Sequence, residues 1–149
     1  MSNGPEDTSN LGVKLAEALD GGEVIELIGD LGTGKTQFVR GVARGLGSKD
    51  VVQSPSFTIS RIYQATGDVY LHHFDLYRLG ENTGIIKTEL QEVLNDPLAI
   101  LVSEWADSVQ DILPKDRVTI NFIYMDGEKR RLLIKSNGPK SRKIVEYLS

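Results

Sequence analysis

A glycine-rich segment joins an apolar stretch to a helical pattern near the start of this chain. The apolar run EVIELI at 23–28 predicts a strand, and the pattern from about Lys35 to Leu46 predicts a helix that Gly47 ends. The residues that define the segment between them are Gly29, Gly32, Gly34, Lys35 and Thr36. A strand, a glycine loop and a helix in this order predict an α/β protein whose loop binds an anion.

The segment GDLGTGKT fits the template G-x-x-x-x-G-K-[ST] of a phosphate-binding loop, or P-loop. Glycines allow positive φ angles and leave backbone N–H groups free to surround a phosphate. The Lys35 ammonium can reach the β and γ oxygens of a nucleotide, and the Thr36 hydroxyl can ligate Mg²⁺. The alternative is a glycine-rich turn with a solvated lysine. GTP-binding proteins usually recognise guanine with Asn-Lys-x-Asp, which is absent from this sequence, so ATP/ADP is favoured.

Two carboxylates are candidates for the rest of the site. Glu104 ends the apolar run LAILVSEW at 98–105, which predicts a buried central strand that delivers this acid to the carboxyl edge of the sheet. We therefore predict Glu104 as the second magnesium ligand beside Thr36. Asp75, in VYLHHFDLY, either holds magnesium through water or orients the attacking group. Each acid could also be an ordinary strand-end carboxylate in solvent.

Other polar and aromatic residues are weaker candidates. Arg78 either stabilises charge on the γ-phosphate or pairs with a surface acid. His72 and His73 face opposite sides of a strand, and packing or a hydrogen bond is favoured for both over a zinc site. Trp105 is either core or a wall of the nucleotide site. The loop at 54–58 stands where many P-loop proteins sense the γ-phosphate, or it is a rigid proline turn.

The remaining pattern predicts a mixed sheet. A first helix is expected to begin near Thr8, which would cap it, and to end at 20–22. Hairpins are expected around 66–68 and around Asp126–Gly127, and a closing helix in GPKSRKIVEYL. The predicted fold is a single P-loop NTPase domain over 1–149, with a mixed, mostly parallel central sheet, helices on both faces and antiparallel hairpin strands.

The composition excludes several function classes. The chain has 149 residues and a net charge of −4, which argues against wholesale coating of nucleic acid. It has no cysteine, so disulfides and thiolate metal sites are excluded. No signal peptide is recognisable and no apolar run reaches the ~20 residues of a membrane helix. A cytoplasmic protein with no membrane contact is the simplest expectation.

Four motifs together resemble the TsaE (YjeE) family: GDLGTGKT, SPSFT, HFDLYR and SEW occur in the family's order and spacing. These proteins are P-loop ATPases needed for the threonylcarbamoyladenosine modification at position 37 of tRNAs. The resemblance implies binding of ATP and Mg²⁺, slow hydrolysis that partners stimulate, and action with TsaB and TsaD, with any contact to tRNA indirect.

The resemblance also implies roles for individual residues. The Leu31 to Thr36 backbone matches the phosphate-binding segment, which includes Gly32, Thr33, Gly34 and Lys35. Thr36 and Glu104 match the magnesium ligands. Asp75 matches the activity-linked aspartate, and with Lys35 it is the predicted catalytic pair. Trp105 matches the site tryptophan, and Thr8 a residue near the nucleotide base.

Three positions depart from the family's usual pattern. Gln37 stands where the family usually has a second threonine, Ser56 replaces the threonine of SPTF, and Ala106 replaces a proline. None of these changes removes a charged or magnesium-binding group. The segment from Gly80 to Asp96 matches poorly, so no acid is transferred from it.

Two other functions stay open on the sequence. A small-molecule kinase would use Asp75 as the base for a substrate hydroxyl and Arg78 to hold an anion, but no arginine-rich lid is recognisable. A non-catalytic switch would order the loop at 54–58 around ATP. The basic residues near the end of the chain are either a solvated face or a docking surface for an acidic partner or tRNA. They are Lys129, Arg130, Arg131, Lys135, Lys140, Arg142 and Lys143.

Overall fold

The structure is a computed structural model that describes residues 1–30, 32–49, 60–77 and 83–149. Within these ranges the chain forms four α-helices, which are α1 (Pro5–Ala16), α2 (Lys35–Gly45), α3 (Thr83–Leu94) and α4 (Pro139–Leu148). The six described strands are β1 (Val24–Ile28), β2 (Ser60–Gln64), β3 (Tyr70–Asp75), β4 (Ala99–Glu104), β5 (Val118–Asp126) and β6 (Lys129–Ser136).

The strands form one mixed sheet in the order β2-β3-β4-β1-β5-β6. The four inner strands are parallel to one another, and β2 and β6 pair antiparallel with β3 and β5. Both predicted hairpins are therefore confirmed. Because β3, β4, β1 and β5 run in the same direction, their carboxyl ends meet at one edge of the sheet, where ligands bind in such folds.

Apolar side chains pack on both faces of the sheet. All six residues of β4 are buried, which confirms the central strand expected from its apolar run. One hydrophobic cluster joins α1, α2 and α4 to residues such as Ile25, Leu27 and Val102. The second joins α3 and the 3₁₀ turn Ala106–Val109 to Val24 and Leu101. Since alternate strand residues face opposite sides, helices cover both faces, as predicted.

Helix α2 confirms the pattern expected after the glycine loop, because it begins at Lys35 and Gly47 turns the chain with a φ of 83°. The closing helix is confirmed as α4. None of the helices in the described ranges has both the length and the apolar character needed to cross a membrane.

The predicted cap of the first helix is wrong. Helix α1 begins at Pro5, with Gly4 at the N-cap, because proline is already in helical geometry and has no N–H to leave unpaired. Thr8 therefore lies inside the first turn, and its side chain is buried. The helix ends at Ala16, before the glycines at 21 and 22 that turn the chain into β1.

Candidate functional site at the carboxyl edge of the sheet

A cleft of about 290 Å³ opens where β3 and β4 end and α2 begins. Its lining contains most of the residues that the sequence predicts for the site. They are Gly32, Gly34, Lys35, Thr36, Gln37, Asp75, Glu104 and Trp105.

The glycine loop has the backbone geometry that its sequence predicts. Gly34 is the N-cap of α2 and has a left-handed backbone with a φ of 99°, which a side chain would strain. An added Cβ at Gly29 would lie 2.9 Å from the Phe122 carbonyl oxygen, so the loop also passes very close to β5. No side chain caps α2, and its free N–H groups and positive dipole end favour an anion in the cleft.

The Lys35 side chain is buried at the centre of this arrangement, with 5% of its surface exposed. Its Nζ donates a hydrogen bond to the Gly29 carbonyl oxygen at 2.6 Å and lies 3.6 Å from Glu104 Oε1. The ammonium also sits 4.3 Å above the Trp105 ring. These contacts compensate the buried charge while holding it beside the loop that would receive a phosphate.

Glu104 ends β4 and is 4% exposed. Its Oε2 pairs with Nε2 of His73, and its Oε1 faces Lys35. The parallel register of β3 and β4 places Asp75 directly opposite Glu104, so both acids line the same cleft.

The carboxyl of Asp75 has a raised pKa. Burial raises the pKa of its carboxyl, and the nearby charge of Glu104 raises it further. The Tyr77 N–H, which donates to Asp75 Oδ1 at 3.1 Å, and the charges of His73 and Lys35 oppose this shift. A raised pKa makes Asp75 a stronger proton acceptor than an exposed aspartate.

Trp105 has a strained backbone, with a φ of 57° that is uncommon for a bulky residue. Its ring lies under Lys35 and packs at 4.9 Å against Tyr77. This arrangement favours the prediction that Trp105 walls the site over the alternative of plain core.

The oxygen ligands of the cleft suit Mg²⁺. The Thr36 hydroxyl and the Glu104 and Asp75 carboxylates are hard oxygen donors, the kind this cation prefers. In the described part of the chain, no three acidic or histidine side chains converge into a cage for a metal. A magnesium ion at a nucleotide site usually takes one or two protein ligands and completes its shell with phosphate oxygens and water.

Several predicted residues lie away from the cleft or outside the described ranges. Leu31, Arg78 and the loop at 54–58 fall outside the described residues, so their roles stay predictions. Thr8 lies behind Gly34, where an added Cβ would be 3.7 Å from the Thr8 methyl group. The Thr8 hydroxyl is hydrogen-bonded to Ser2 Oγ at 2.7 Å, and its contact with a base also stays a prediction.

The two histidines behave as expected for side chains on opposite faces. His72 stacks on Phe74 with ring centroids 4.3 Å apart, on the face away from the cleft. Burial lowers the pKa of His72 to about 4, and the charge of His73 contributes. His72 is therefore neutral near pH 7, and its 3.8 Å approach to Glu89 is no ion pair at that pH.

Sequence reasoning missed two neighbours of the loop. Gln37 lines the cleft itself. Arg130 on β6 donates to the Gly32 carbonyl oxygen at 3.3 Å and lies 4.8 Å above the Tyr124 ring. The only signal for Arg130 was its place in a basic run, because nothing local links residue 130 to residue 32. Among the other basic residues of that run, Lys140 donates to the Gly21 carbonyl oxygen.

Known proteins are similar to this chain over most of its length. The family model "Threonylcarbamoyl adenosine biosynthesis protein TsaE" matches residues 2–132. The tRNA threonylcarbamoyladenosine biosynthesis protein TsaE of Bacillus subtilis is 34% identical over 145 residues, covering 97% of this chain and 89% of the relative. The protein of that name from Treponema pallidum is 35% identical over 130 residues, covering 87% and 94%.

A solved structure has the same fold. The crystal structure of Bacillus subtilis YdiB superposes with a TM-score of 0.79 at 29% sequence identity, over 99% of this chain and 90% of that one. The predicted α/β fold with a mixed sheet is thereby confirmed. On the family match and these relatives, the chain belongs to the TsaE family of threonylcarbamoyl adenosine biosynthesis proteins.

Proposed function

We propose that this protein is an ATP-binding, slowly hydrolysing accessory ATPase of the tRNA threonylcarbamoyladenosine machinery, and that it acts with TsaB and TsaD. The family match supports the pathway. The observation that carries the ATPase role is the buried ammonium of Lys35, held at a glycine-rich loop in a cleft shared with Asp75 and Glu104.

Nucleotide binding would replace the present contacts of the Lys35 ammonium with contacts to phosphate oxygens. The ammonium now rests on the Gly29 carbonyl oxygen and near Glu104, and phosphate oxygens carry more negative charge than a carbonyl. Lys35 would therefore turn toward the β and γ oxygens, while the N–H groups at the start of α2 hold the β-phosphate. Thr36 and Glu104 would hold Mg²⁺, which when bound neutralises charge on the phosphate oxygens.

Asp75 would act on the attacking water. It lines the same cleft as Lys35, and its pKa is raised by burial, so it orients a water and accepts charge from it better than a solvated aspartate. The charge of Glu104 also raises the pKa of Asp75. The two acids would therefore have different roles, with Glu104 on the metal ion and Asp75 on the water.

The test is to measure phosphate release by the purified chain alone and with TsaB and TsaD. We expect slow turnover alone and a rise of about tenfold or more in the mixture, together with a complex on size-exclusion chromatography. Unchanged turnover with no complex would contradict the proposed partnership. A metabolite panel separates the kinase alternative, because no phosphorylated small molecule should accumulate.

A further inference from the structure

His73 is a polar residue with no exposed surface, and it stands two positions before Asp75 on β3. Because side chains alternate along a strand, His73 and Asp75 face the same side of the sheet as α2. His73 pairs in register with Val102, so its ring reaches diagonally to Glu104 on β4. There, Nε2 of His73 meets Oε2 of Glu104.

The direction of this hydrogen bond follows from the groups involved. An ionised carboxylate only accepts, so Nε2 of His73 carries the hydrogen and donates it. The other ring nitrogen, Nδ1, has no hydrogen-bond partner among the described residues. The contact with Glu104 is thus the only polar one found for this ring within the described ranges, and it fixes the ring and the carboxylate relative to each other.

The two oxygens of Glu104 consequently have different surroundings. Oε2 is held by His73 on the inner side, and Oε1 lies 3.6 Å from Lys35 in the cleft. When Lys35 turns toward a phosphate, Oε1 becomes the free oxygen that faces the nucleotide. Without His73, neither oxygen of the buried Glu104 carboxylate would be held in place. The carboxylate could then rotate and face Lys35 with either oxygen.

We infer that His73 is a positioning residue, which holds Glu104 through Oε2 so that Oε1 is presented to a magnesium ion. This inference rests on the proposed function, in which Glu104 holds Mg²⁺. Hydrogen-bond partners behind a metal-binding carboxylate typically change metal affinity by about 10–100-fold when they are removed.

The experiment measures the Mg²⁺ concentration at half-saturation, with ATP-γ-S present and the fluorescence of Trp105, the single tryptophan, as the readout. His73→Leu should raise this concentration about tenfold or more and leave ATP-γ-S affinity in EDTA unchanged. His73→Gln should recover part of the loss, because its amide can donate. The matched control is His72→Leu, which alters the next residue on the opposite face and should leave the midpoint unchanged.

Equal magnesium midpoints for the wild type and His73→Leu would overturn the positioning role and leave the proposed function intact. A wild type with no magnesium-dependent binding would overturn both. If His73→Leu does not fold, His73→Phe decides in the same assay, because it keeps an aromatic ring but cannot donate, and a wild-type midpoint in it overturns the inference. The Nε2-bound proton of His73 is expected in the NMR spectrum of the nucleotide-free wild type and should be absent from Glu104→Ala.

Discussion

Asp75 and Glu104 stand side by side at the ends of adjacent parallel strands, yet their surroundings give them different chemistry. Glu104 is tied to His73 and faces Lys35, whereas Asp75 receives one backbone N–H and has a pKa raised by burial. Two acids with separated environments are a common basis for dividing metal binding from proton transfer.

Asp75→Asn should separate binding from turnover. The amide keeps the size of the side chain but cannot accept a proton, so hydrolysis should fall by about 100-fold or more. Nucleotide affinity should change by less than about threefold, since Lys35 and the glycine loop are untouched. Phosphate release and calorimetry measure the two quantities. A variant that hydrolyses at the wild-type rate would remove Asp75 from the reaction.

His72 should make the fold sensitive to acid. Its pKa is about 4 in the folded protein against an ordinary 6.5, so the unfolded chain binds more protons between these values. The contribution of His72 to stability is complete above pH 6.5 and is lost as the pH falls toward 4. Between pH 7 and pH 5 we expect a loss of about 1–2 kcal/mol.

The measurement is urea denaturation at both pH values for the wild type and His72→Phe, which keeps an aromatic ring on Phe74 but cannot titrate. The variant should lose less stability over this range. Equal losses in the two proteins would show that His72 is not the group responsible.

At the level of elements, helices α1 and α2 lie so close together that their backbones are in contact. An added Cβ at Gly41 would lie 1.9 Å from the Ser9 carbonyl oxygen, and one at Gly12 would lie 2.3 Å from that of Phe38. This close approach seats α2 against α1, with Thr8 beside Gly34 at the start of the phosphate-binding loop. The contact between α1 and α2 therefore helps to fix the position of the phosphate-binding loop.

Gly41→Ala should push the two helices apart and lower the free energy of unfolding by about 1–3 kcal/mol or more. The matched control is Gly84→Ala in α3, where an added Cβ meets nothing within 4 Å. That change should be neutral or should stabilise by about 0.5–1 kcal/mol, because alanine is the better helix former. Thermal and urea denaturation compare the two. A Gly41→Ala protein as stable as Gly84→Ala would contradict the close packing.

The helices and strands were largely predictable because each is marked by a pattern of neighbouring residues in the sequence. The apolar run of β4, the Asp126–Gly127 turn and the glycine loop each determine their own structure. The start of α1 was not predicted correctly, since Pro5 competes with Thr8 as the signal and fixes the boundary earlier.

The site was predictable only where a motif marks it. Lys35, Thr36 and the two acids belong to recognisable motifs, and they do line one cleft. The link from His73 to Glu104 and that from Arg130 to Gly32 depend on strand register and sheet order. Such long-range pairing leaves no pattern in a single sequence.

For the whole molecule, the charge distribution limits its partners. The net charge is −4, and Arg130 and Lys140 of the basic run are engaged with backbone carbonyls. Lys129, Arg131 and Lys135 are exposed on β6, and Arg142 and Lys143 are exposed on α4. Because the net charge of the chain is nevertheless negative, we expect any contact with tRNA to run through partner proteins.

The chain alone should bind tRNA with a dissociation constant weaker than about 100 µM near physiological salt, the weak end of non-specific binding. Filter binding with total tRNA at two salt concentrations measures this. Micromolar binding that weakens steeply with salt would contradict the expectation and assign the basic face to RNA.

We propose that the glycine-rich loop before α2 binds the phosphates of ATP together with the Lys35 ammonium. The decisive measurement is isothermal titration of the folded, purified chain with ATP-γ-S and Mg²⁺. We predict one site per chain, and a loss of about 10–100-fold in affinity for Lys35→Ala, since a charged hydrogen bond contributes about 1.5–3 kcal/mol. No heat of binding at millimolar nucleotide, in a protein shown to be folded, would contradict the account.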